Sequence, residues 1–255
     1  MSHSDYGELW KDYLKRVDKT RTSLADINQI CEDTILSMMR IYFAIFESVK
    51  ASSGTRKLPN YQAFVELLYK RNITYLQSSH LLACIGFIDP SSNLNRTVYE
   101  SVLRGYLFIA EPNEAEEYSQ AIRTGKEGLY QRSKSARYIR QKLYLPKTCK
   151  EHENFYGQLC ISAHPDVKGA VLDYPEYRPD RTKDNLSVIL HLMYGNIQMI
   201  SECFFSLLNS QAIKIIIPTM ERIATTLKYV PLFEPDKDSY SSRINLKRGN
   251  FREVL

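Results

Sequence analysis

Between Glu8 and Ser53 the chain contains no glycine and no proline, and its apolar residues recur at helical spacing. Trp10, Leu14, Val17, Leu24, Cys31, Ile35, Met38, Tyr42, Ile45 and Val49 are separated by threes and fours, or by sevens where Arg21 or Asn28 takes the intermediate place. That spacing keeps one stripe of an α-helix apolar. Such a segment would run about 60 Å at 1.5 Å per residue, with a break expected near Thr20–Ser23. Ile41, Phe43 and Phe46 add apolar side chains away from the stripe, which predicts a second half central in a bundle.

The remaining chain continues in the same idiom. A loop, ASSGTRKLP, ends at Pro59, which suits the first turn of a helix running to about Phe87. DPSSN at 89–93 reads as a turn and cap before a helix over about 94–110, which Glu111-Pro112 ends. Pro112 opens an acidic helix, a basic helical segment follows to Tyr144, and Pro146 is expected to stop it. Another helix covers about 149–163. Residues 166–182 read as a long ordered loop. Two apolar helices follow at about 183–209 and 211–229, the second kinked at Pro218. The reading is an all-α bundle of about six to eight helices with a long N-terminal helix, one domain over 1–229, and an extended or partly disordered tail over 230–255.

Five widely spaced cysteines, Cys31, Cys84, Cys149, Cys160 and Cys203, form no C-x-x-C pair. Reduced thiols are the simplest account, which implies a cytoplasmic protein. The N-terminus has no apolar core of a signal peptide. The longest apolar stretch, about 187–208, is interrupted by His191, Asn196, Gln198 and Glu202, so it reads as a core helix and no membrane association is expected.

Several chemistries are excluded by inspection. Neither a G-x-x-x-x-G-K-[ST] loop nor a G-x-G-x-x-G turn is present to cradle phosphates. H-E-x-x-H, repeated E-x-x-H and G-x-S-x-G are absent too. His152 lies between Glu151 and Glu153, but neighbours one apart on a helix do not converge on one ion. A solvated charged turn is the expectation there, and no metal or cofactor is expected anywhere. His80 and His191, in apolar helices, read as core or interface histidines.

Three constellations remain. In LNRTVYESVLRGYLFIAEP, Arg96, Glu100 and Arg104 follow at i, i+4 and i+8 on one face, where Glu100 can pair with either arginine. That face is either exposed, with ordinary ion pairs, or part of a cleft in which the arginines hold a phosphate or carboxylate. His164 ends FYGQLCISAHP, as a helix C-cap or as a proton-transfer group. Third, residues 111–118 carry four glutamates and no cation, whereas 119–150 carry nine basic residues against Glu127 alone, interleaved with Tyr130, Tyr138 and Tyr144. As one continuous helix, 100° per residue would gather Arg123, Lys126, Lys134, Arg137 and Arg140 within roughly a 120° arc, although Gly125 and Gly128 interrupt it. With Arg132, this set is a candidate grip on a nucleic-acid backbone; the plain alternative is a solvated face paired with the acids beside it.

The blocks RTVYESVLRGYLFIAEPNEAEEY and FYGQLCISAHPDV resemble the paired signature of a group of uncharacterised prokaryotic helical proteins: an Arg-x-x-x-Glu helix followed by an aromatic run, then a later Tyr-x-x-x-x-Ser-x-x-His-like helix end, which in this chain is Tyr156 followed by Ser162-Ala163-His164. That group is similar to the HEPN (higher eukaryotes and prokaryotes nucleotide-binding) superfamily, over roughly 94–165 of this chain. The resemblance implies a helical bundle, often dimeric, and metal-independent ribonuclease activity of the kind found in toxin–antitoxin and phage-defence systems. The R-x(4–6)-H motif of active members is missing. The nearest arginine before His164 is Arg140, and the one before His191 is Arg181.

Two functional expectations follow. In one, Arg96, Glu100, Arg104 and His164 share a cleft that acts on RNA: Glu100 orients an arginine, the arginine holds phosphate, and His164 moves the proton. In the other, the chain is a non-catalytic module that pairs with its own copy or a protein partner through the apolar stripe from Trp10 to Val49.

Overall fold

The computed structural model describes residues 3–53, 58–163 and 179–228, and every regular element among them is helical. Ten α-helices are present among the described residues: α1 His3–Ser23, α2 Ala25–Ser53, α3 Asn60–Cys84, α4 Ile88–Ala110, α5 Pro112–Arg123, α6 Glu127–Ser133, α7 Ala136–Leu143, α8 Pro146–Ala163, α9 Pro179–Cys203 and α10 Ser210–Leu227. A 3₁₀ turn, Phe205–Leu207, links the last two. This exceeds the six to eight expected, because the long N-terminal segment and the basic segment each divide in two. The anticipated tail over 230–255, most of the 166–182 loop and the Trp10 side chain lie outside the described residues.

Local chemistry sets the breaks. The long N-terminal segment parts at Leu24, next to the expected Thr20–Ser23 break. After α3, Gly86 takes the left-handed region (φ 83°), Phe87 N–H donates to Leu82 O, and Gly86 N–H donates to Ala83 O. This paired closure of a helix end satisfies carbonyls that would otherwise be orphaned. The same arrangement follows α5, where Gly125 has φ 65° and Lys126 N–H reaches Ala121 O. Hence residues 119–144 are not one helix, and the predicted arc of basic side chains is split between α5, α7 and the two ends of α6. DPSSN is not a turn but the start of α4: Pro90 sits in the first turn, where its missing N–H would be unpaired in any case. Pro146 likewise opens α8 instead of stopping a helix, and 179–182 belong to α9. Asn209 caps α10, accepting from Ala212 N–H at 2.8 Å.

The helices lie in tiers. α2 and α10 pack together on one side and α3 and α9 fill the middle. α4 packs against α3 and α9, and α5, α7 and α8 cover its other flank. One apolar cluster runs from Cys31 to Ile223. The most enclosed helices are therefore α4 and α9, not α2. In α4, Val98, Tyr99, Val102, Leu103, Tyr106, Leu107 and Phe108 are all inaccessible. The stripe Cys31–Ile35–Met38–Ile45 of α2 is buried within the chain, whereas Leu36, Phe43 and Phe46 face outward. Gly105 lets α4 approach α9: a Cβ there would stand 2.1 Å from Met199 Sδ. His80 is buried beside Cys84, its Nε2 3.4 Å from Sγ, and burial pulls the imidazole below its usual pKa. No described helix is long and apolar enough to cross a membrane.

Candidate functional site

The site grows from the two faces along which α4 and α8 meet. On α8, His152, Phe155, Tyr156 and Leu159 follow at three- and four-residue spacing, so they share one side of the helix. On α4, Arg96, Tyr99 and Glu100 do the same. Where these faces touch, Tyr156 hydroxyl donates to Glu100 Oε1 at 2.6 Å and accepts from Arg96 Nε at 3.1 Å. Arg96 Nε also meets Glu100 Oε1 at 3.1 Å. The guanidinium, carboxylate and phenol thus form a closed triangle. Burial, and then the adjacent Glu100, hold the Tyr156 hydroxyl well above the usual tyrosine range, so it stays a proton donor.

Below this triangle lies an aromatic floor. The Tyr99 and Tyr156 rings are 5.5 Å apart, and Tyr99 hydroxyl lies 3.0 Å from His152 Nδ1. The His152 ring stacks on Tyr144 at 4.2 Å. His152 is only 4% exposed, which overturns the solvated turn expected from its two glutamate neighbours. The flanking residues point elsewhere because a helix turns 100° between neighbours. Among the described residues no group of three or more His, Cys, Asp or Glu is arranged to hold a metal ion.

Arg140, from α7, stacks over the Tyr156 ring with Cζ 4.8 Å from its centre. It is 5% exposed, and its Nε and one terminal nitrogen have no hydrogen-bond partner among the described residues. Burying a guanidinium without a carboxylate is costly, and the face of an aromatic ring offsets only part of that cost. Arg104 stands further along α4. It does not pair with Glu100; one terminal nitrogen donates to Lys134 O at 3.3 Å, the other is buried without a partner among the described residues, and Cζ lies 5.9 Å over Tyr130. Burial lowers its pKa.

The basic set divides by environment. Lys134 and Lys142 reach the buried Glu114 at 2.9 and 3.2 Å, so this part of the set does pair with the acids beside it. Tyr130 hydroxyl donates to Glu114 Oε2 at 3.0 Å. Burial pushes the Glu114 carboxyl upward, but the bonds from Lys134, Lys142 and Tyr130 outweigh it and hold the group below its usual range. Arg123, Lys126, Arg132 and Arg137 are exposed, and none takes part in an ion pair among the described residues. His164 lies outside the described residues.

Arg96 and Glu100 are therefore brought together, Arg104 is near them but otherwise engaged, and Arg140 joins this site, not the exposed set. Tyr156, Tyr99 and His152 were not among the expected site residues. The spacing of His152, Phe155 and Tyr156 was the available signal. No family model, curated protein or solved structure matches the chain.

Proposed function

We propose that the chain is a HEPN-like helical protein that binds RNA through its phosphate backbone, with Arg96, Glu100, Arg104 and His164 as the groups that would cleave it. The supporting observation is uncompensated positive charge. Arg123, Lys126, Arg132 and Arg137 stand in solvent without carboxylate partners among the described residues, while their neighbours Lys134 and Lys142 are held by Glu114. Free surface cations of this kind bind a polyanion by releasing its counterions. Behind them, Arg96 pairs with Glu100, whereas Arg104 and Arg140 have no carboxylate partner among the described residues, which favours an anion beside those two. Tyr138, half-buried on α7, adds an aromatic ring beside the surface cations. The HEPN-like part of the reading rests on the two sequence blocks around Arg96–Glu100 and His164.

The binding arm of the test is filter retention of single-stranded RNA across a salt series. Replacing Arg123, Lys126, Arg132 and Arg137 with serine should lower the slope of log affinity against log salt by about three. An unchanged slope, or a wild-type chain that does not retain RNA at low salt, overturns the proposal. The catalytic arm incubates total RNA with wild-type protein and with His164→Ala. Cleavage lost in the variant supports the His164 role, while equal cleavage, or none by either, removes it and leaves binding alone.

A further inference from the structure

We infer that the outward face of α2 is a self-association seam, which pairs antiparallel with the same segment of a second copy. The inward face of that helix is used up within the chain by Cys31, Ile35, Met38 and Ile45. The outward face repeats apolar residues once more: Leu36 is 52% exposed, Phe43 63% and Phe46 45%, with Met39 between them half-buried. Large apolar side chains grouped on one exposed helix face mark an interaction surface more often than scattered ones do.

The order of residues along this face selects the occupant. Glu32, Leu36, Met39, Phe43, Phe46 and Lys50 follow at intervals of four, three, four, three and four. This is the spacing of the seam between two coiled helices. It also reads the same in both directions about Ile41. A two-fold axis beside Ile41 would set Leu36 against the second copy's Phe46 and Met39 against its Phe43, each contact occurring twice, as an isologous interface requires. The same register sets Glu32 against Lys50 at both ends. A parallel arrangement would place glutamate on glutamate and lysine on lysine. A matched seam of this span runs about 27 Å along the helix.

The aromatic part of the face is held in place beforehand. Tyr42 donates to Glu66 Oε1 at 3.1 Å, and its ring lies against Phe46 at 6.3 Å and edge-on to Phe43 at 5.7 Å. Side chains already fixed in their rotamers lose less entropy on association. Leu67, next to Glu66 on α3, adds a further exposed apolar residue.

Sedimentation of the full chain over a concentration series tests the seam. Wild-type protein should show a concentration-dependent dimer. Phe43→Glu should abolish it while leaving the circular dichroism spectrum and thermal midpoint unchanged. Glu32→Lys and Lys50→Glu should each weaken the dimer about tenfold at low salt, and the double exchange should restore it. Mixing the two single variants should give a heterodimer tighter than either homodimer. A wild-type chain that stays monomeric at its highest soluble concentration overturns the inference. So does a dimer that survives Phe43→Glu, or one that the double exchange does not restore.

Discussion

The Tyr156 hydroxyl donates to Glu100 Oε1 at 2.6 Å while accepting from Arg96 Nε at 3.1 Å, so one phenol ties α8 to the central helix α4. Tyr156→Phe should lose a hydrogen bond to a charged acceptor, about 1.5–3 kcal/mol. The Arg96–Glu100 pair is 35% and 41% exposed on its two sides, so water screens it and Arg96→Ala should cost only a few tenths of a kcal/mol. Urea denaturation of both variants gives the comparison. An Arg96→Ala loss as large as that of Tyr156→Phe would show that the ion pair, not the phenol, fastens α8.

Arg140 sets stability against binding. Its buried guanidinium leaves two nitrogens unsatisfied, so Arg140→Met keeps the volume and removes the desolvation cost. The variant should be as stable as wild type or more stable, by up to about 1–4 kcal/mol. The hydrogen bond from Arg140 to the Tyr99 hydroxyl would be lost, but Tyr99 would keep His152 Nδ1 as a partner. If the guanidinium is retained for an anion, the same variant should bind RNA more weakly. A strongly destabilised Arg140→Met would show instead that the cation holds α7 in place.

Glu114 makes the fold sensitive to acid. Its folded pKa lies below the unfolded value of about 4.3, so its contribution is present above that pH and is lost as pH falls through the folded value. Lys134 and Lys142 are raised. Glu114 is the leading cause for Lys134; for Lys142, burial opposes the rise and Glu114 overcomes it. Their contribution is present below about pH 10.4 and is lost as pH rises through the raised folded values. His80, lowered by burial, adds a separate loss as pH falls below about 6.5. Thermal midpoints across pH should therefore form a plateau near neutrality and fall off on both sides. Glu114→Gln should cost about 1–3 kcal/mol at pH 7 and flatten the steepest acidic part. An acid limb of unchanged steepness in that variant would assign it to other carboxylates.

Gly105→Ala should destabilise, although alanine is the better helix former by about 1 kcal/mol. The added Cβ would stand 2.1 Å from Met199 Sδ inside a filled core, and overpacking of this kind costs about 1–3 kcal/mol. Met199→Ala alone opens a cavity, at about 2–5 kcal/mol. The double variant should lose less than the sum of the two. Simple additivity in a double-mutant cycle would mean that Met199 turns aside freely and that Gly105 is not needed for the close approach.

The amino-acid sequence by itself determined the all-helical character and most helix ends. These depend on near neighbours: the Gly-free and Pro-free run from Glu8 to Ser53, the Pro112 start of α5, and the turns at Gly86 and Gly125. It also showed Arg96 and Glu100 on one face, since four residues is a helical repeat. Where proline stands was legible, but not its sense, because Pro90 and Pro146 open helices as readily as a proline ends one. Only the tertiary structure decided which faces meet. It made α4 the enclosed helix and left Phe43 and Phe46 of α2 outside. It buried His152 between two glutamates that point away. It drew Arg140 out of a basic run and onto Tyr156. Burial depends on which residues distant in the chain come to lie against a face, and helical spacing groups the side chains of a face without naming what will cover it.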